Sequence, residues 1–290
     1  MNDVFGMFGA EVPAPKVKSP LVDGTPVEKV EGWERVWVKR EDMSAPLPGP
    51  SFSKIRGVYA HLSTRPEKLI GVLDTYHSKA GWAVAYICDL LGKECVDFYP
   101  RYKDDGDTLR EQQQRAADFG SELFPLPAGR SAILFHRARK EIEKRGGYMM
   151  PNALKLHETV EECANEVGRT PGLDDFDHIV ISISSATIAT GVLKGFHQKG
   201  FSPRVWLHMG YERSQEQIRR YMLKHHPSGF PFDITFINEG YGYKDQARLG
   251  DYREPPFPCN PYYDLKAWRW LDREGLNSMP GRVLFWNIGS

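Results

Sequence analysis

The chain has 290 residues, of which 41% are hydrophobic and 26% charged, and its formal net charge is zero. This composition predicts a globular protein of one large or two modest domains. The balanced charge excludes a global basic field that would attract nucleic acid or membranes, although it leaves a local basic patch open. No apolar run approaches the roughly 20 residues of a membrane span, and no signal peptide is evident. We therefore expect a cytoplasmic protein with reduced cysteines, no membrane contact and, from the histidine spacing, no metal site.

Strands and helices are predicted to alternate along the chain after an extended arm, rich in Pro and Gly, over residues 1–30. Several predicted strands are continuous apolar runs, which are typical of strands buried on both faces of a sheet. The alternation predicts an α/β fold with a mostly parallel sheet. The predicted strands span 69–75, 94–99, 178–184, 204–208, 233–238 and 282–286, and the predicted helices span 54–62, 79–91, 107–119, 131–144, 153–167, 189–198, 214–224 and 263–273.

Two polar segments in the first third of the chain are candidates for chemistry. Lys54 opens a predicted helix after a turn-rich gap, and a lysine can hold an aldehyde cofactor as a Schiff base if its neutral amine is accessible. The alternative is a solvated lysine at a helix start. Ser78 follows a predicted strand, where α/β sheets bind ligands, and could act as a hydrogen-bond partner, nucleophile or acid. Its alternative role is a helix N-cap.

Two later segments could complete a site. Four hydroxyl residues cluster within seven positions after a predicted strand: Ser184, Ser185, Thr187 and Thr190. Small hydroxyls and free N–H groups at a helix N-terminus make an anion site, so a phosphate is the natural ligand and a serine-rich cap without ligand is the alternative. The segment around Tyr263 and Asp264 is by itself an aromatic-rich core helix.

Taken in order, these segments resemble those of the fold-type II pyridoxal-phosphate enzymes, the group of tryptophan synthase β, threonine synthase and cysteine synthase. The pattern is most similar to the aminocyclopropane-carboxylate deaminase and D-cysteine desulfhydrase branch, over roughly residues 36–290. The resemblance implies two doubly wound, mostly parallel sheet domains with the site between them. Residues 1–52 would form an N-terminal arm and the first strands of the large domain, 53–148 the small domain, and 149–290 the large cofactor-binding domain.

The resemblance assigns roles to residues of the first half of the chain. The group has a K-x-E motif and then N-K-x-R, and here Lys39-Arg40-Glu41 and Ser53-Lys54-Ile55-Arg56 match, so Lys54 takes the Schiff-base position. Ser78 falls where the deaminase branch has a catalytic serine. Lys79 replaces the usual asparagine that bonds the cofactor's 3-oxygen, and it can still donate to that oxygen while adding a charge.

The second half of the chain completes the resemblance. Residues 184–191 match the glycine-rich phosphate loop with hydroxyl residues in place of most glycines, which assigns the cofactor phosphate to Ser184, Ser185, Thr187 and Thr190. Residues 261–267 resemble P-V-Y-E-G-K-S, in which the tyrosine lies by the ring and the carboxylate meets the pyridine nitrogen. Tyr263 is therefore a catalytic candidate and Asp264 a cofactor ligand. A carboxylate there favours the pyridinium, a strong electron sink that suits deamination, α-proton removal or decarboxylation. A further loop, residues 240–242, is expected near the site.

Three functions follow from these assignments. The first is a lyase or deaminase that acts on an amino acid or amine through Lys54 and pyridoxal 5'-phosphate. The second is a phage-encoded enzyme that tailors an amino-acid-modified base in viral DNA, for example by decarboxylation. The third is an inactive protein of the same fold. A basic surface at the cleft would favour the second function and a sealed small pocket the first, and the family resemblance implies a homodimer.

Overall fold

Two sheets built mainly from parallel strands form the protein, in a computed structural model that describes residues 20–102 and 108–290. The arm predicted over residues 1–30 therefore lies largely outside the described residues. The strands are β1 Val27–Lys29, β2 Val36–Arg40, β3 Leu69–Leu73, β4 Glu94–Arg101, β5 Glu122–Pro127, β6 Tyr148–Met149, β7 His178–Ile183, β8 Arg204–Met209, β9 Ile234–Ile237 and β10 Val283–Asn287.

Helices connect most of these strands. They are α1 Ile55–Ser63, α2 Ala80–Leu90, α3 Glu111–Asp118, α4 Ser131–Lys144, α5 His157–Arg169, α6 Thr187–Lys199, α7 Gln215–His225 and α8 Asp264–Arg273. Among the described residues, no helix has both the length and the apolar character needed to cross a membrane.

The larger sheet has six strands in the order β1-β2-β10-β7-β8-β9. Every neighbouring pair is parallel except β1 and β2, which run antiparallel. Strand β7 is an apolar run that is buried along its whole length, as a strand covered on both faces must be. Helices α5, α6 and α7 supply the core on one face, and α8 supplies the core on the other.

The smaller sheet has four parallel strands in the order β5-β4-β3-β6. Its cores lie on both faces, with α2 and α3 on one side and α4 on the other. The predicted α/β class, with two doubly wound and mostly parallel sheets, is confirmed. The domain boundaries at residues 52 and 148 stay a prediction.

The local pattern missed the short strands β5 and β6, and it misplaced two helix starts. Strand β5 contains Pro125 and Pro127, which lack the N–H of a ladder, and it lies at a sheet edge where that loss is tolerated. The helix predicted from 153 begins at His157, and the one predicted from 107 begins at Glu111, while residue 107 lies outside the described part of the chain.

A buried ion cluster joins strand β2 to helices α1 and α5. Lys39 Nζ lies 2.6 Å from Glu166 Oε1, and Arg56 contacts Glu41 at 2.8 Å and Glu166 at 3.4 Å. The N–H of Thr25 also donates to Glu166 at 2.8 Å. Because each buried charge has a partner of opposite sign, the cluster fixes the relative positions of the three elements without an unpaired charge.

Helix α1 packs on α5 at backbone contact distance because Gly57 has no side chain. A methyl group added at Gly57 would lie 2.6 Å from the backbone nitrogen of Thr159 and closer still to its Cα. Gly191 permits the same approach of α6 to α5, where an added methyl would lie 2.5 Å from the Val160 carbonyl oxygen. Helix α5 is thus held between two helices that carry glycine at the contact.

We expect Gly57→Ala to lower the free energy of unfolding by about 3 kcal/mol, because the obstacle is backbone that cannot move aside. Gly168→Ala is the matched control, since the nearest atom to an added methyl there is the end of the Lys199 side chain, at 3.7 Å. This control should be neutral or stabilising by up to about 1 kcal/mol. Urea denaturation of both variants measures the difference, and equal stabilities would contradict the close contact.

Candidate active site

A cavity of about 650 Å³ lies at the carboxyl ends of strands from both sheets. The segments that follow β3, β4, β7, β8 and β10 all line it, together with the start of α1 and the turn before α5. Ligands of parallel sheets bind at this edge because the connecting loops converge there. The volume lies within the range of about 300–1,000 Å³ that is typical of small-molecule sites.

Lys54 lies at the floor of this cavity, immediately before helix α1, and is 8% exposed. Its amine donates to the carbonyl of Ala153 at 2.8 Å and to Ser185 Oγ at 3.1 Å. Burial lowers the pKa of Lys54 to about 8, and the positive charge of Lys155 acts in the same direction. A sizeable neutral fraction of this amine is therefore present near neutral pH, as a nucleophilic lysine requires.

The Ala153 carbonyl, which accepts the hydrogen bond from Lys54, belongs to a strained turn in a segment that the sequence predicted to be helical. Ala153 and Leu154 have positive φ angles of 58° and 47°, in the left-handed region that favours glycine. This turn directs the Ala153 carbonyl to the lysine instead of into a helical hydrogen bond. Strained backbone of this kind is common at functional sites.

The predicted phosphate loop lies at the amino end of helix α6. Ser184, Ser185 and Thr187 line the cavity, and the hydroxyls of Ser185 and Thr187 are 3.0 Å apart. Ala186, at φ 63°, turns the chain into the helix. The free N–H groups of this first turn make an anion site. Thr190 does not line the cavity, because its hydroxyl donates at 2.7 Å to the carbonyl of Ala186, and we leave it out of the anion site.

Asp264 begins helix α8 and is completely buried at the cavity wall. Its Oδ1 accepts from the N–H of Ile288 at 3.1 Å, whereas Oδ2 has no partner among the described residues. Burial raises the pKa of Asp264 well above its usual range, against the opposing effect of the Ile288 N–H. An unpartnered buried carboxyl oxygen is costly, and a protonated ring nitrogen placed against it would satisfy it.

Tyr263 is linked to a residue that the sequence did not single out as functional. Its hydroxyl lies 2.8 Å from Nε2 of His77, whose ring stacks on Tyr262 with centroids 4.2 Å apart. Burial lowers the pKa of His77 to about 4, helped by the charges of Lys266 and Arg110. The imidazole is therefore neutral at pH 7 and holds the phenol at the cavity wall.

Ser78 and Lys79 line the cavity between β3 and α2. The Ser78 hydroxyl accepts from the N–H of Ala80 at 3.2 Å, but the cap position of α2 is Lys79, so Ser78 lies one residue before the N-cap that the sequence offered as its alternative role. Burial lowers the pKa of Lys79, and Glu111, Asp42 and Asp264 oppose this effect. The Lys79 amine lies 5.2 Å from the ring centre of Trp82.

Sequence reasoning did not assign a role to several cavity residues: Asp74, Lys155, Tyr211, Arg213 and Tyr243. Tyr211, Arg213 and Tyr243 follow predicted strands, whereas Asp74 lies in the predicted strand 69–75 and Lys155 in the predicted helix 153–167. Burial raises the pKa of Asp74 to about 7. Of the loop expected near the site, Tyr241 is buried beneath Lys266, while the neighbouring Tyr243 reaches the cavity. Position after a strand was the available signal for Tyr211, Arg213 and Tyr243, but it did not distinguish them from other loop residues.

The chain is similar in sequence to pyridoxal-phosphate-dependent enzymes. A family model described as "Pyridoxal-phosphate dependent enzyme" matches residues 18–221. A protein of Pseudomonas phage M6, described as "Glycyl-dTMP PLP-dependent decarboxylase", is 54% identical over 279 residues, which cover 93% of this chain and 99% of the relative.

Solved structures show the same fold at low identity. The structure of an ACC deaminase homologue has a TM-score of 0.73 and 18% identity, and the match covers 94% of this chain and 92% of the homologue. An L-serine ammonia-lyase from Rhizomucor miehei has a TM-score of 0.68 and 17% identity, with 94% and 95% covered. Escherichia coli diaminopropionate ammonia lyase has a TM-score of 0.65 and 13% identity, with 95% and 84% covered.

We expect His77 to make the protein less stable in acid. Its pKa is about 4 when folded and about 6.5 when unfolded, so the unfolded chain binds more protons between these values. The free energy of unfolding should therefore decrease as the pH is lowered. Between about pH 7.5 and about pH 5 the decrease should be about 2 kcal/mol larger in the wild-type protein than in His77→Gln. Urea denaturation measures this, with the exposed His136→Gln as control. Parallel curves for wild type and His77→Gln would contradict the burial of a neutral imidazole.

Proposed function

The chain belongs to the family of fold-type II pyridoxal-phosphate-dependent enzymes, and on that premise we propose that it removes the carboxyl group of an amino acid carried by a thymine nucleotide, as a step in modifying phage DNA. The phage M6 relative carries this proposal, because it is 54% identical over nearly the full length of both chains and its name states this activity. The proposal corresponds to the second of the functions derived from the sequence.

The cavity residues fit pyridoxal phosphate. The Lys54 amine would bind its aldehyde, Ser184, Ser185 and Thr187 with the first turn of α6 would hold its phosphate, and the unpartnered Asp264 Oδ2 would face its ring nitrogen. Lys79 is the candidate donor to its 3-oxygen. The deep burial of Asp264 supports this fit, since a cationic ring would compensate the buried carboxylate.

When bound, the cofactor supplies an electron sink for the pair left on the α-carbon as a bond to that carbon breaks. In a decarboxylation the bond between the α-carbon and the carboxylate breaks, CO2 leaves, and a proton takes its place. Lys54, with a pKa of about 8, can hold and return that proton near neutral pH. Burial raises the pKa of Tyr263 well above its usual range, so its hydroxyl keeps its proton and is a second donor.

A lyase or deaminase acting on a free amino acid is the second candidate. The observation that favours it is the fold shared with the ACC deaminase homologue, together with Ser78 and Tyr263 at the cavity wall. At 18% identity this likeness supports the fold and not the reaction.

We expect Lys54 to be the lysine that binds the cofactor covalently. Borohydride reduction of the holoenzyme, followed by peptide mass analysis, should place the pyridoxyl group on the Lys54 peptide. Lys54→Ala should lose this label and the absorbance near the visible edge, while Lys155→Ala, which removes another lysine at the cavity, should keep both. A label found on Lys79 or Lys155 of the wild-type protein would contradict the assignment.

Incubation of the holoenzyme with glycyl-thymidylate tests the reaction itself. We expect release of CO2 and a product lighter by the mass of CO2, with loss of at least about a thousandfold in rate for Lys54→Ala, which lacks both the covalent link and the proton carrier. Release of ammonia from a free amino acid, without CO2 from the nucleotide, would instead establish the lyase or deaminase.

A further inference from the structure

The cavity has a second half that the cofactor residues do not account for. Four tyrosine rings line it, two from each sheet: Tyr76, Tyr102, Tyr211 and Tyr243. Tyr76 and Tyr102 pack edge to face at 5.6 Å, and Tyr211 and Tyr243 do so at 5.2 Å. The amine of Lys244 crosses from the larger sheet to lie 4.3 Å from the Tyr76 ring centre and 3.8 Å from that of Tyr102. We call this half of the cavity, which is lined by the two tyrosine pairs, the mouth.

The two pairs differ in what already covers them. Arg110 and Lys244 lie over Tyr76, at 3.8 Å and 4.3 Å from the ring centre, so its faces are occupied by cations. The Tyr243 ring has His77 at 4.7 Å and Tyr211 at 5.2 Å from its centre, yet the residue remains 38% exposed. A tyrosine ring left partly open at a cavity wall is a platform on which a flat base can stack. The Tyr211–Tyr243 pair is thus the better surface for a planar ligand.

Positive charge surrounds this platform. Arg213 lies 5.7 Å from the centre of the Tyr211 ring, and Lys155 lines the same cavity. Burial lowers the pKa of Lys155, and the positive charge of Arg213 contributes to this effect. Arg213 also donates to the carbonyl of Ser184, which directs its guanidinium along the cavity wall. Among the described lining residues the acids are Asp74 and Asp264, and both are buried at its inner wall. A ligand with an aromatic ring and an anionic group matches this arrangement.

We propose that the mouth is a nucleotide subsite, in which the exposed ring of Tyr243 stacks on the base, Tyr211 supports that ring edge to face, and Arg213 and Lys155 bind the phosphate of the nucleotide. The inference rests on the proposed function, because it describes how an amino-acid-bearing thymidylate would be held with its amino acid toward Lys54. The phosphate is that of a free mononucleotide or of a DNA strand, which present the same chemistry. A free amino acid would leave these four residues unused.

Binding of thymidine 5'-monophosphate to the holoenzyme tests the subsite without any reaction, since this probe lacks an amino acid. Tyr243→Ala should weaken binding about tenfold or more, and Tyr243→Phe should retain it, because stacking needs the ring and not the hydroxyl. Tyr252→Ala is the matched control, as this ring contacts Arg269 and Glu254 and lies outside the cavity lining. Calorimetry measures the affinities, and the cofactor spectrum shows whether each variant keeps its fold and cofactor.

Comparison with thymidine separates the base contact from the phosphate contact. Arg213→Gln should weaken binding of the monophosphate and leave thymidine unchanged, whereas Tyr243→Ala should weaken both. The subsite is overturned if the wild-type holoenzyme binds neither probe, or if both variants bind the monophosphate as the wild type does. The subsite would also be overturned if Arg213→Gln lowered only the affinity for the cofactor and not that for the monophosphate, since Arg213 would then bind the cofactor phosphate.

Two further measurements identify the phosphate source and separate the two proposals. The first measurement is the affinity for a thymidine-containing single-stranded oligonucleotide. If it binds more tightly than the monophosphate and the variants weaken it in the same way, the subsite is supported and the ligand is a DNA strand. If it binds more weakly, the subsite is supported and the ligand is a mononucleotide. If the variant pattern holds while glycyl-thymidylate releases no CO2, the subsite stands and the decarboxylase fails. If CO2 is released but Tyr243→Ala leaves the KM for glycyl-thymidylate unchanged, the subsite alone fails.

Discussion

The buried ion cluster of Lys39, Glu41, Arg56 and Glu166 is the constraint on which the rest of the structure depends. All four residues are at most 3% exposed, and two positive charges face two negative ones. Removal of one partner from such a cluster costs about 3–5 kcal/mol, because a buried charge is left uncompensated. The cluster connects β2, α1 and α5 through contacts of 2.6 to 3.4 Å. Since Arg56 lies on the first turn of α1, that arrangement also positions Lys54, two residues earlier, at the start of the helix.

Lys39 and Lys54 are both buried near α1, but they differ in the groups that contact their amines. Lys39 contacts a carboxylate at 2.6 Å, whereas the described residues that contact the Lys54 amine are a carbonyl and a hydroxyl. With no carboxylate against it, Lys54 has a pKa lowered by burial to about 8. Burial lowers the pKa of Lys39 as well, but Glu41 and Glu166 oppose this effect and favour the charged form. Only a neutral lysine can attack an aldehyde, so Lys54 is the better nucleophile. The strained turn at Ala153 contributes to this difference, because it supplies a neutral acceptor where a helix would supply none.

The cavity combines a deep polar part with an aromatic, cationic mouth, and each is assembled from both sheets. The deep part contains Lys54, Asp264 and the loop before α6, which suit an anionic ring cofactor. The mouth contains tyrosines and basic side chains, which exceed what a small amino acid needs. A shared fold can serve different substrates when the residues at the mouth differ. The two parts of this cavity adjoin, since Arg213 donates to the carbonyl of Ser184. The solved structure of the ACC deaminase homologue shares this architecture at 18% identity, and the phage relative is 54% identical over 93% of this chain.

The sequence by itself determined the alternation of strands and helices, the α/β class and the segments that form the site, because apolar periodicity and residues at strand ends are local properties. The hydroxyl loop was predicted in this way, and strand β7 was recognisable from its continuous apolar run. The roles of Lys54 and Asp264 were implied by the family resemblance. Only the tertiary structure decided that β5 could carry two prolines, since being an edge strand depends on the neighbours. It also paired His77 with Tyr263, which are 186 residues apart. Such contacts depend on how the two sheets pack, which no local pattern encodes.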